Sequence, residues 1–268
     1  MKKILFPTDF SPAAHNAYQY AIAMAKEKGA MIDLIHVYAV PFTGTDLYLD
    51  LTQQRELRIQ KQMQMEQNLQ DFINQYDFKN IGDKLVYPGM FIDQEIVDRS
   101  RKGCDLIIMG TKGERNAIDK LIGSVTTRLM MNAGCPVLAI PEKAKYTGMK
   151  EITYATTFSF KDKHFLEKLA DFGSEFDTKI HFLHVTDDPK IDMEDELYVE
   201  GLPSRFIRFS VISNSSVMKG IDDFLKEHPS DALALYIPKR NLWERLFHSS
   251  FSKKMAFHTD IPLFVFHA

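Results

Sequence analysis

The chain has 268 residues, 45% of them hydrophobic and 26% charged, and a formal net charge of −3. The length suits two domains or one large one, and the composition is that of an ordinary globular protein. The charge gives no reason to expect nucleic acid or an anionic membrane as a partner. No stretch approaches the roughly 20 apolar residues of a membrane span, and two cysteines, Cys104 and Cys135, are too few for a disulfide framework and read as buried thiols in a cytoplasmic protein.

The opening Met1-Lys2-Lys3 leads into a short apolar run that ends at Pro7, which reads as a first strand rather than a signal peptide. Ser11-Pro12 then opens an Ala-rich helix over 13–28, with Ser11 as N-cap, Pro12 in the first turn and Gly29 as the stop. A strand over 32–37, a long polar helix over 53–76 and a short strand over 84–87 follow. Next come a helix over 92–101, an apolar strand over 105–109, a helix over 124–132 and a strand over 136–140. Ile-, Leu- and Val-rich strands alternating with helices predict a parallel sheet covered on both faces.

The pattern then starts again. Ile152 to Ala155 matches Ile4 to Pro7, and Phe182-Leu183-His184-Val185 matches Leu34-Ile35-His36-Val37, both at a separation of 148 residues. Further strands over 205–212, 231–236 and 262–266 and helices over 217–227 and 241–257 continue it. An internal duplication is the simplest account, with the join in the polar stretch 142–150 and domains at 1–142 and 150–268. His36 and His184 fall at equivalent strand positions and suggest a shared packing role.

The sharpest chemical signal is Gly110-x2-Gly113-x9-Gly123-Ser124. It follows a buried strand and ends at a helix start, the layout of a phosphate cradle. Glycines admit an anion close to the backbone, and the first N–H groups of a helix have no partners within it. Ser124 and Thr126 add hydroxyls, and Lys112 and Arg115 offset phosphate charge. No phosphate-loop Gly-x4-Gly-Lys-Ser/Thr motif, triad or metal-ligating pattern is readable. Asp119 is a weak candidate for a base, better read as a solvated residue. His248, His258 and His267 read as surface or interface histidines.

The glycine pattern resembles the ATP-binding signature of the universal stress protein family. So do Pro7-Thr8-Asp9-Phe10-Ser11, Leu34-Ile35-His36-Val37 and Pro136-Val137-Leu138-Ala139-Ile140, so that the likeness runs in order through residues 1–141. The resemblance implies an α/β fold of two tandem doubly wound five-stranded parallel sheets, each of strand order 3-2-1-4-5 and adenine nucleotide alpha hydrolase-like. It implies ATP, with or without Mg2+, in the crevice between strands 1 and 4. Asp9 would bond the adenosine part and the Val37 main chain the adenine. Gly110, Gly113, Gly123, Ser124 and Thr126 would hold ribose and phosphates, with Pro7, Thr8, Met109, Arg115 and Val125 beside them.

In the second half none of the three glycines is kept, His248 stands at the place of Gly123 and Thr157 at that of Asp9. That half is expected to bind no ATP in the family manner, and its Trp243, Arg245, Phe247 and Phe251 read as packing residues. The last strands of the two halves are expected to meet as a pseudo-dimer, and two chains to form a homodimer. The rivals are a slow ATPase or nucleotidyl transferase on the same fold, and a ligand-free scaffold.

Overall fold

The computed structural model describes residues 1–39, 50–111, 123–156, 163–187, 206–237 and 260–267. In chain order the first half contributes β1 (Lys3–Pro7), α1 (Pro12–Lys28), β2 (Met31–Tyr38), α2 (Leu51–Asn74), β3 (Ile81–Pro88), α3 (Ile92–Ser100), β4 (Leu106–Gly110), α4 (Ser124–Asn132) and β5 (Val137–Ile140). The second contributes β6 (Glu151–Ala155), α5 (Lys163–Phe176), β7 (Lys179–Thr186), β8 (Phe206–Ser213), α6 (Val217–Glu227), β9 (Ala232–Ile237) and β10 (Leu263–His267). The helix expected over 241–257 lies outside the described residues. The helix α5 has no counterpart among the sequence expectations, although Leu169 and Ala170 bury one of its faces.

Local chemistry fixes α1 at both ends. Ser11 Oγ accepts the Ala14 N–H at 3.2 Å, and Gly29 closes the helix at φ 65°, a left-handed conformation that glycine adopts freely. At the start of α2, Asp50 and Gln53 form a reciprocal capping box, which satisfies N–H groups the helix cannot.

The described strands form one sheet in the order β3-β2-β1-β4-β5-β10-β9-β6-β7-β8. The sequence leads to two five-stranded sheets that meet at their last strands; the last strands do meet, but they join the halves into a single sheet. Its first five strands stand in the order 3-2-1-4-5, but β5 is not an edge. It pairs antiparallel with β10, Leu263 opposite Ala139 and Val265 opposite Val137. The other described pairings are parallel. An apolar strand left at an edge invites pairing with another chain, and here β10 occupies that edge.

Alternation along the strands divides the core into two layers, each running through both halves. Leu138, Ile140, Phe264 and Phe266 join Tyr18, Phe72 and Phe176 on the face covered by α1, α2 and α5. Val137, Ala139, Leu263 and Val265 join Ile96, Leu129 and Phe224 on the face of α3, α4 and α6. The connection between the halves is less polar than its sequence suggests: Ala144 and Met149 are buried. The Asn16 amide donates to the carbonyls of Pro141 and Ala144, each at 3.0 Å, and the Tyr146 hydroxyl donates to Glu27 at 2.6 Å. These bonds lay the segment against α1.

Hydrogen bonds repeat along with sequence. Asp105 Oδ2 accepts the N–H groups of Lys2 and Lys3, as Asp231 Oδ2 accepts those of Lys150 and Glu151. One expectation is overturned: Cys104 and Cys135 are not separate thiols but are joined by a disulfide, their Cα atoms 6.5 Å apart. They precede β4 and β5, which are neighbours in the sheet, so residues far apart in sequence meet at adjacent strand starts. The cysteine count therefore gives no ground for assigning a reducing compartment. No described helix is long and apolar enough to cross a membrane.

Candidate functional site

The order of the sheet brings three chain segments to one place. Ile4 and Leu5 stand opposite Leu106 and Ile107, so the carboxyl ends of β1 and β4 lie side by side. The chain leaves β1 for α1 and β4 for α4, which cover opposite faces, and such a switch point is where open α/β sheets bind their ligands.

At the β1 end, Pro7 closes the strand and Thr8 is buried. The Thr8 N–H donates to the Ile35 carbonyl at 3.0 Å, and Thr8 Oγ1 accepts the Phe10 N–H at 3.1 Å. Asp9 is exposed, and its Oδ1 accepts the Ser11 N–H at 3.1 Å. The short polar side chains thus fold the turn by bonding backbone two residues on.

At the β4 end, Met109 and Thr111 are buried. A Cβ on Gly110 would stand 3.1 Å from the Ala13 carbonyl oxygen, so this glycine lets β4 pass close to the first turn of α1. The Thr111 N–H donates to Ile140, and its carbonyl accepts the Gly123 N–H at 2.8 Å. Gly113 and Arg115, like Lys112 and Asp119, lie outside the described residues.

Gly123 is the N-cap of α4 and provides no side-chain cap bond. A helix start of this kind carries partial positive charge and N–H donors that suit an anion. Ser124 is exposed at its first position and Val125 half-buried. Thr126 departs from the expectation of a free hydroxyl donor: its Oγ1 donates to the Gly110 carbonyl at 3.1 Å, tying α4 to the end of β4. Val37 stands opposite Tyr87 of β3, and its side chain belongs to the core layer of α3 and α4.

Sequence reasoning missed the roles of three residues. His36 and His184 are more than packing equivalents, because each places Nδ1 2.8 Å from the carbonyl of the residue after the neighbouring strand, Thr8 and Thr156 respectively. Their constant separation was the available signal. Asp33 was overlooked as a strand residue and is the buried centre of an ion cluster. In the second half, Thr157, Trp243, Arg245, Phe247, His248, Phe251 and His258 lie outside the described residues.

A model of the Universal stress protein family matches residues 1–141. The chain belongs to the universal stress protein family. Universal stress protein MJ0531 of Methanocaldococcus jannaschii is 31% identical over 145 residues, 54% of this chain and 84% of that protein. Universal stress protein MJ0577 of the same organism is 27% identical over 156 residues, 53% of this chain and 96% of that protein. Both likenesses thus span about half of this chain. A universal stress protein from Archaeoglobus fulgidus superimposes with a TM-score of 0.68 at 18% identity, covering 98% of this chain and 95% of that one. That likeness extends the universal stress protein fold over nearly the whole length.

Proposed function

We propose that this universal stress protein is an ATP-binding regulator that holds one adenine nucleotide in the crevice between β1 and β4 and acts through conformation or assembly. The observation that carries the reading is the start of α4. Gly123 offers no side-chain cap and is bonded to the end of β4 through Thr111, at the switch point where ligands of such sheets bind. In this reading the N–H groups of Ser124, Val125 and Thr126 face the phosphates with Gly110, Gly113 and Arg115. Asp9 bonds the adenosine, Val37 meets the adenine through its main chain, and Pro7, Thr8 and Met109 line the site. Thr126 serves through its backbone, since its hydroxyl is bonded to Gly110. Mg2+ would act only as a counter-ion to the phosphates.

The same reading makes the chain a tandem pair of domains, 1–142 and 150–268, arranged as an intramolecular pseudo-dimer in the cytoplasm, with two chains forming a homodimer. The second domain lacks the glycines of the motif and binds no ATP in the family manner.

A second reading, a ligand-free scaffold, draws on two contacts already described. Gly110 is accounted for by its approach to Ala13, and the Thr126 hydroxyl by its bond to Gly110. Calorimetry separates the two readings. We expect one ATP per chain, lost in a Gly113→Val, Gly123→Val double variant that keeps its fold, and nucleotide released into the supernatant when freshly purified protein is denatured. Absence of binding favours the scaffold. Two equivalent sites would refute the reading of the second domain.

A further inference from the structure

The turn after β1 has a backbone that its own sequence does not favour. Phe10 sits at φ 63°, a left-handed conformation that bulky side chains rarely adopt and that persists only where neighbouring groups impose it. Thr8 Oγ1 holds the Phe10 N–H from one side. The Phe10 ring lies 4.3 Å from the His36 imidazole and 5.7 Å from the Phe72 ring, centroid to centroid. His36 is itself buried, with Nδ1 2.8 Å from the Thr8 carbonyl. A carbonyl only accepts, so Nδ1 carries the proton and donates. Burial pushes the imidazole pKa down against the pull of the Thr8 carbonyl and Asp9, which keeps the ring neutral with this as its one N–H.

The bond has a geometric consequence one atom further along. No described peptide bond is cis, and in a trans peptide the carbonyl and the following N–H point opposite ways. His36 shares a strand face with Leu34 and Tyr38, whose side chains pack in the layer of α1 and α2. A Thr8 carbonyl drawn to that face turns the Asp9 N–H toward the other, where α4 packs.

We propose that His36 is a positioning residue for the first crevice, its hydrogen bond to Thr8 and its contact with Phe10 setting the direction in which Asp9 is presented. The proposal rests on the nucleotide reading of that crevice. The second half supplies an internal control. There the His184–Thr156 bond is the same length, and the sequence reads Thr156-Thr157-Phe158-Ser159 against Thr8-Asp9-Phe10-Ser11, differing only where Asp9 stands. The histidine–carbonyl bond is thus common to both halves, and only the first half carries a carboxylate after it.

The test is calorimetric titration of ATP into the full-length chain and into His36→Phe, His36→Asn and His184→Phe variants, with the melting temperature measured beside each. Phenylalanine keeps the ring contact and loses the donor. Asparagine puts its Nδ2 where Nδ1 stands. We expect His36→Phe to weaken ATP by about tenfold, the scale of one lost hydrogen bond in a preorganised site, and His36→Asn to recover most of that. His184→Phe should lose a similar amount of melting temperature and keep wild-type affinity. Wild-type affinity in His36→Phe overturns the proposal, as does an equal loss in His184→Phe. If His36→Phe does not fold, His36→Gln, whose amide stands one bond further out, takes its place with the same expectation. If the unaltered chain binds no ATP, the nucleotide reading fails, and amide exchange over residues 8–11 still decides the role of the histidine–carbonyl bond. Faster exchange in the histidine variant supports it, and unchanged exchange overturns it.

Discussion

Asp33 lies on β2 with 2% of its surface exposed, and its carboxylate meets Lys3 Nζ and an Arg99 nitrogen, each at 2.9 Å, and the Asp83 N–H at 3.0 Å. Arg99 also pairs with Asp83. Burial would raise the Asp33 pKa, but the bonds from Lys3, the Asp83 N–H and Arg99 outweigh it and hold the pKa below its ordinary value. A carboxylate whose folded pKa is depressed adds stability at pH values above its unfolded pKa, near 4, and that contribution fades as pH falls through the folded pKa. Asp33→Asn should therefore cost about 2–3 kcal/mol at pH 7, with the gap to the unaltered chain closing below about pH 4. Urea denaturation across that range checks it, and a gap independent of pH would contradict the assignment. At this scale the site was half legible. A glycine spacing reveals where a backbone must pass closely, but not what it passes. Gly110 clears the first turn of α1, and the Thr126 hydroxyl turns back to bond Gly110. His36 was legible only as a repeat of His184, because its partner is a carbonyl, and a carbonyl leaves no trace in a sequence.

Elements with local punctuation were the ones the sequence located well. The helix expected over 124–132 is α4, Ser124–Asn132, because glycine sets its start and Gly134-Cys135-Pro136 bars its continuation. The helix α1 was equally clear from Ser11, Pro12 and Gly29. The strand expected over 84–87 is β3, Ile81–Pro88. Gly82 and the exposed Asp83 hid its true start, since a strand at the sheet edge needs few apolar residues. The disulfide between Cys104 and Cys135 belongs to the same scale, because it joins the turn before β4 to the turn before β5. It closes a loop of 31 residues, a constraint on the unfolded chain worth about 3.5 kcal/mol. Denaturant midpoints with and without reductant should differ accordingly. Two titratable thiols per chain without reductant would remove the bond from the account.

For the whole molecule, the sequence revealed the repeat but not that its halves share one sheet. Alternation along β5 and β10 is the same whether each strand ends a sheet or lies in its middle, and only the pairing of Leu263 with Ala139 and of Val265 with Val137 distinguishes the two. A chain ended after Pro141 would leave Val137–Ile140 uncovered, and we expect two such chains to pair through that strand in place of β10. Sedimentation at micromolar concentration checks it, and a stable monomer would show that the second half is not needed to shield the first. The antiparallel seam has one more effect. Strands β1 to β5 all point to one rim of the sheet, and β6 to β10 all point to the opposite rim. The molecule is two-ended: the rim that carries the carboxyl ends of β1 and β4 lies opposite the rim that carries those of β6 and β9, so the His36–Thr8 and His184–Thr156 bonds sit at opposite ends of one sheet.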